Sequence, residues 1–142
     1  MSPAPVLRCR TIHYGVATID KNASIYQAIA LMVKKNVTGL PVVDDYMNLL
    51  GVVSEKDILK LLYNPNAKPG FVQDYMTEDV VSFDRGASLF EICHCLINNN
   101  FRRVPILDNR KLVGIISRTD IMAFIMKNRS RFFDQKHQNS PP

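Results

Sequence analysis

Residues 16–41, VATIDKNASIYQAIALMVKKNVTGLP, reappear as residues 80–105, VVSFDRGASLFEICHCLINNNFRRVP, with Val16 over Val80 and Pro41 over Pro105, an offset of 64 residues held without a gap. Beyond each proline the match runs on. PVVDDYMNLLGVVSEKDILKLL stands against PILDNRKLVGIISRTDIMAFIM, with one extra residue in the turn of the first copy. A duplicated unit of this length predicts a pseudo-twofold module with two equivalent clefts where the copies meet.

Working outward from the repeat, each copy opens on a short β-rich stretch (16–19 and 80–83) followed by turn residues, Asp20-Lys21-Asn22 or Asp84-Arg85-Gly86. Ser24 with Gln27, and Ser88 with Glu91, match a capping box and mark the start of a helix. Ile25, Ala28, Ile29, Met32 and Val33, and in the second copy Leu89, Ile92, Cys93, Leu96 and Ile97, recur at the spacing of one buried helical face. Asn36 and Asn100 suit the left-handed backbone past a helix end. Two short apolar runs then flank a polar turn as a hairpin, 40–43 with 49–53 and 104–107 with 112–116. A second helix follows, carrying Ile58, Leu61 and Leu62, or Ile121, Phe124 and Ile125, at core spacing. The order β-α-β-β-α, twice, sets the class as α/β of the α+β kind. The reading divides the chain into a first motif (8–63), a breaker-rich connector (64–70), a second motif (71–127) and a polar tail (128–142).

A chain of 142 residues with 46% apolar content suits one compact module, and each half, marginal alone, is expected to use the other as the far side of a shared core. No run nears the roughly 18 apolar residues of a membrane helix, and the N-terminus lacks a long apolar signal segment, so a soluble, cytoplasmic protein is expected. Three cysteines in no disulfide spacing fit a reducing compartment. Cys93-His94-Cys95 invites a metal or nucleophile reading, but neighbours on a helix point to different faces and do not converge on one ion. The net charge of +5 favours anionic partners, and part of it lies in the terminal stretch.

With Gly51-Val52-Val53-Ser54-Glu55-Lys56-Asp57 and Gly114-Ile115-Ile116-Ser117-Arg118-Thr119-Asp120, each behind its own capped helix and proline-led strand, the chain resembles a tandem pair of cystathionine-β-synthase (CBS) domains. Asp74-Tyr75-Met76-Thr77 is similar to the lead-in common in that family; Arg10-Thr11-Ile12-His13, at the matching place in the first copy, departs from it. The resemblance implies a disc-like Bateman module that binds an adenosine-containing ligand (AMP, ADP, ATP, NAD or S-adenosylmethionine) and regulates an attached or associated protein, with no catalytic cofactor.

Ser54 and Ser117 stand at helix N-termini, whose free N–H groups and positive dipole end suit phosphate. The resemblance gives Asp57 and Asp120 the ribose hydroxyls. Ser-x-x-Asp is also an ordinary N-capping pattern, so on spacing alone both readings stand. By resemblance each cleft is composite, with Ser54 and Asp57 facing Val80, Val81, Ser82, Arg102 and Arg103, and Ser117 and Asp120 facing Ala17, Thr18, Thr38 and Gly39. Because Arg102-Arg103 correspond to Thr38-Gly39, the Asp57 cleft is expected to prefer the more phosphorylated ligand.

The scattered His13, His94 and His137 accompany no nucleophile, glycine-rich phosphate loop or metal spacing, so a non-enzyme is expected. The competing function is a ligand-free homodimerisation or protein-interaction module with vestigial clefts, using apolar residues such as Leu31, Ala123 and Met126. The basic patches are short, dispersed and without interleaved aromatic residues, which disfavours nucleic acid.

Overall fold

The computed structural model describes residues 16–64, 66 and 68–130, without the side chain of Leu62. The expectations placed on Cys9, on Arg10-Thr11-Ile12-His13, on His137 and on the tail from 131 onward fall outside the described residues. The elements run β1 (Ile19–Asp20), α1 (Ile25–Lys35), β2 (Gly39–Val43), β3 (Leu49–Ser54), α2 (Glu55–Tyr63), α3 (Val72–Tyr75), β4 (Phe83–Asp84), α4 (Leu89–Asn98), β5 (Arg103–Asp108), β6 (Lys111–Ser117) and α5 (Arg118–Lys127). The duplicated β-α-β-β-α order is present. Its first strands are two residues long and sit later than the β-rich stretches suggest. Each copy forms a three-stranded sheet, β1-β2-β3 or β4-β5-β6, with the first pair parallel and the second antiparallel.

The helix starts follow the serine pattern with one difference between copies. Ser24 and Gln27 exchange both bonds of a capping box, at 2.8 and 3.1 Å. Ser88 accepts from the Glu91 N–H at 3.1 Å, and no return bond from the Glu91 side chain accompanies it. Asn36 caps α1 in the left-handed region (φ 53°), whereas Asn99 caps α4 and Asn100 takes the left-handed conformation one residue later (φ 54°). The hairpin turns differ as well. Asn109 and Arg110, both at positive φ, close β5 onto β6 in a two-residue turn, while residues 44–48 span the longer turn of the first copy.

Among the described residues the buried side chains do not form the shared core that the size of the halves suggests. They form two clusters. One unites Leu89, Ile92, Leu96, Val104, Ile106, Ile116 and Ile121, with Phe124 and Ile125 packed against it. The other unites Ile25, Ala28, Met32, Leu40, Val42 and Val53 with Val72, and Ile58, Leu61, Tyr75 and Met76 pack on it. Each sheet carries the helices of its own copy, so each apolar helical face finds its partner locally. Val33 and Ile97, at matching positions, are 76% and 70% exposed, because the helical periodicity reaches further round than a three-stranded sheet covers. Leu31 packs on the cluster around Ile25 and Ala28, while Ala123 and Met126 are exposed.

Val72, Tyr75 and Met76 belong to the second copy's lead-in, yet they complete the first copy's core. Backbone bonds fix this placement: Ile25 N donates to Gly70 O (2.9 Å), Val72 N to Ala23 O (2.8 Å) and Gln73 N to Lys21 O (3.1 Å). Val52 and Thr77 then exchange two N–H to O bonds of 3.0 and 2.9 Å, and add the lead-in to the edge of β3. Gly51 makes that approach possible, since a Cβ there would stand 2.6 Å from Thr77 O and 3.0 Å from Met76 Sδ. At the hairpin tips Leu112 N donates to Met47 O (2.9 Å) and ties the two copies directly. Asp44 holds that turn: its Oδ1 accepts from Tyr46 N and Asn48 N (2.8 and 2.9 Å) and its Oδ2 from Asn48 Nδ2 (2.9 Å).

Gly51→Ala is therefore expected to lose about 1–3 kcal/mol by overpacking against backbone, read by urea denaturation. Gly39→Ala, whose Cβ would meet Val53 O at an ordinary 3.4 Å, is expected to change stability by less than about 0.5 kcal/mol. The Asn48 side-chain bond, aided by the Asn48 and Tyr46 N–H groups and the charge of Lys21 and opposed by desolvation, holds the Asp44 carboxyl below its ordinary value of 3.8. A depressed folded value means that the Asp44 contribution is complete above the unfolded value and vanishes as pH falls through the folded one. Below about pH 4 wild type is expected to lose its advantage over Asp44→Asn, as read by melting temperature against pH.

Candidate functional site

The two hairpins face one another across a cleft of about 580 Å³. Its apolar floor is itself duplicated, with Pro41 and Val52 from one sheet and Pro105 and Ile115 from the other. These are paired neighbours within each hairpin, Pro41 against Val52 and Pro105 against Ile115. Val80 and Val81 close one side, and Val81 remains 43% exposed for its apolar character.

One wall is the start of α2. Ser54 Oγ accepts from Asp57 N (3.3 Å), and Asp57 Oδ2 accepts from both Ser54 N and Ser54 Oγ at 2.9 Å. The capping reading of Ser-x-x-Asp is thus realised. Asp57 is also 9% exposed, a buried carboxylate on the wall of a cleft, and the bonds of the box use Oδ2 and leave Oδ1 outside it. Cap and ligand roles are compatible in one side chain. In the second copy Asp120 Oδ2 accepts from Ser117 N (2.8 Å) and Ser117 Oγ from Asp120 N (3.1 Å).

The facing wall is the run from Asn99 to Arg103, five consecutive lining residues that bring Arg102, exposed, and Arg103, half-buried, to the same space as Asp57. Guanidinium groups there supply fixed paired donors for an anion. Lys56 adds a third cation, and Glu55 and Asp79 add carboxylates beside Asp57.

Ser54, Asp57, Val80, Val81, Arg102 and Arg103 are thus brought together as expected from the composite cleft. Ser82 lies outside the lining. Thr38 and Gly39, expected opposite Ser117 and Asp120, line the Asp57 cleft. The reason is hairpin register: Gly39 pairs with Ser54, and Thr38 O accepts from Glu55 N at 2.8 Å, so the pre-proline segment sits beside the serine of its own copy. Arg103 pairs with Ser117 in the same way, and so touches both motifs. Ala17, Thr18, Ser117 and Asp120 do not line this cleft.

Lys56, Asp79, Asn99, Asn100 and Phe101 line the cleft without being expected there from sequence. Lys56 lies inside Ser-x-x-Asp, and Asn99 to Phe101 directly precede the arginines, so adjacency was the available signal. Among the described residues no cluster of three or more His, Cys, Asp or Glu could hold a metal ion, and no helix is long and apolar enough to cross a membrane.

The CBS domain family matches residues 9–64 and 72–127, nearly the length of both repeats. The chain belongs to the CBS-domain family. It is a tandem CBS pair. A protein of Methanocaldococcus jannaschii, MJ1225, is 34% identical over 111 residues, which cover 78% of this chain and 40% of that protein, so the chain spans less than half of that relative. Among solved structures, CBSX2 of Arabidopsis thaliana in complex with AMP superposes with a TM-score of 0.75 at 31% identity, covering 81% of this chain and 90% of the other. The CBS domain pair of MJ0100, in complex with 5′-methylthioadenosine and S-adenosyl-L-methionine, gives 0.70 at 27% identity, covering 81% and 95%.

Removing the Asp57 acceptor strands Ser54 N, so Asp57→Ala without ligand is expected to lose about 1–2 kcal/mol of stability. Asp57→Asn keeps a carbonyl acceptor and is expected to lose less than half as much. Denaturation of the purified variants reads both.

Proposed function

We propose that this CBS pair is a regulatory module that binds an adenosine-containing ligand in the Asp57 cleft and passes the change to a partner protein. The observation that carries the reading is one cleft joining a capped helix start, a buried carboxylate, an apolar floor from both copies and an arginine pair. The AMP of CBSX2 and the S-adenosyl-L-methionine of MJ0100 support the adenosine class. Adenine packs against Val80, Val81 and the proline floor, a ribose hydroxyl donates to Asp57 Oδ1, and phosphate lies toward Arg102 and Arg103. Ser117 and Asp120, with Ala17 and Thr18, are assigned to a second, less phosphate-selective site. The module acts in the cytoplasm by binding rather than by catalysis.

A second reading has its own observation. Exposed apolar side chains recur at matching positions, Tyr26 with Phe90, Val33 with Ile97, Leu59 with Met122 and Tyr63 with Met126. Surfaces that repeat under a pseudo-twofold suit pairing with a second copy, so the module is also proposed to be a homodimer.

Isothermal titration with AMP, ATP, NAD and S-adenosylmethionine tests the ligand reading. At least one is expected to bind. Replacing Arg102 and Arg103 by alanine is expected to weaken ATP by about 10-fold to 100-fold, the scale of hydrogen bonds to a charged group. Absence of heat for all four ligands would refute the reading; equal loss of ATP affinity from Asp57→Ala and Asp120→Ala would remove the preference between sites.

A further inference from the structure

The wall that carries Arg102 and Arg103 is not a regular element. It leaves α4 at Asn98, turns through the left-handed Asn100 and enters β5 at Arg103. Asn99 anchors its start to its own helix, N and Nδ2 both donating to Cys95 O at 3.0 Å, and the rest of the hold comes from the other helix of the copy. Arg118 Nε donates to Phe101 O (2.6 Å), and Nη2 donates to Leu96 O (2.9 Å) and to Asn100 Oδ1 (3.2 Å). Its own backbone N donates to Arg102 O at 3.0 Å. Leu96 O is one of the last carbonyls of α4, where a cation is also favoured by the helix dipole. One planar guanidinium therefore ties the helix end, the turn residue and the carbonyl just before the arginine pair in a single fixed geometry.

The duplication supplies the contrast. At the matching position the first copy has Glu55, whose carboxylate offers no donor to carbonyls, and its shorter exit from α1 is closed by Asn36 N and Val37 N donating to Val33 O and Met32 O (3.2 and 3.0 Å). The side chain at this variable place in Ser-x-x-Asp is thus a wall residue of the cleft in one copy and a brace in the other.

We infer that Arg118 is a positioning residue for the Asp57 cleft: it lies outside the lining but fixes the segment 99–103, and with it the arginines that meet phosphate. The inference rests on the ligand reading given above. It assigns the second copy's motif a part in the selectivity of the first copy's site. Loss of the brace frees the arginines to sample other rotamers and backbone positions, and the cost falls on the phosphate end of the ligand, not on the nucleoside end.

The test uses the full chain, wild type, Arg118→Met and Arg118→Lys, titrated with ATP and with adenosine. Arg118→Met is expected to weaken ATP about tenfold and adenosine by less than about twofold, with Arg118→Lys between, in the range typical of couplings between linked groups. Equal weakening of both ligands, or unchanged ATP affinity, overturns the inference. Amide hydrogen exchange without ligand reads the brace separately: residues 99–103 are expected to exchange faster in Arg118→Met while β5 and β6 keep their protection. Unchanged exchange over 99–103 overturns the inference, whereas wild type that binds neither ligand refutes the ligand reading and not the brace.

Discussion

The pair of backbone hydrogen bonds between Val52 and Thr77 is a contact on which the arrangement of the two copies depends. It sets the edge of β3 against the second copy's lead-in, and the absence of a side chain at Gly51 lets the backbones meet. Together with the bonds of Gly70, Val72 and Gln73 to the first copy, it seats Val72, Tyr75 and Met76 on the first core. From Thr77 the chain passes directly to Val80 and Val81, so the same contact places one side of the cleft. Packing and ligand geometry are thus set by one short crossing of the chain.

The cleft shows how a capping device and a binding device share residues. Ser54 and Asp57 satisfy helix donors that would otherwise be orphaned, and the helix start is rigid for that reason. Rigidity is also what a ligand site needs, since a carboxylate already held in one rotamer loses little freedom on binding. The opposite wall is capped locally only at Asn99, and the stretch from Asn100 to Arg102 is fixed through Arg118. The pseudo-symmetry is therefore good in the apolar floor and poor in the polar walls.

Much of the architecture was legible because local patterns carry it. The serine caps, the helical periodicity and the proline-led strands are short-range, and the structure repeats them in both copies. The place of Thr38 and Gly39 in the Asp57 cleft was not legible, because the register of a hairpin, which sets strand start beside strand end, has no local signal of its own. The two separate cores were hidden because burial by a copy's own helices and burial by the other copy leave the same apolar pattern. Docking of the lead-in on the first half had no periodic signal, only a glycine whose need for space depends on a residue 26 positions away in the chain, Gly51 against Thr77. Arg118 was equally silent, because the middle positions of Ser-x-x-Asp carry no pattern of their own.

The placement of α3 separates the unit of repetition from the unit of folding. Sequence alignment divides the chain near the breaker-rich connector, but the apolar groups that finish the first core arrive after it, at Val72, Tyr75 and Met76. A fragment ending at the connector would carry a complete repeat and an incomplete interior, while one extended through Thr77 would carry its own closing strand as well. The seam visible in the sequence thus separates the two repeats without separating their interiors, because side chains of the second repeat finish the core of the first.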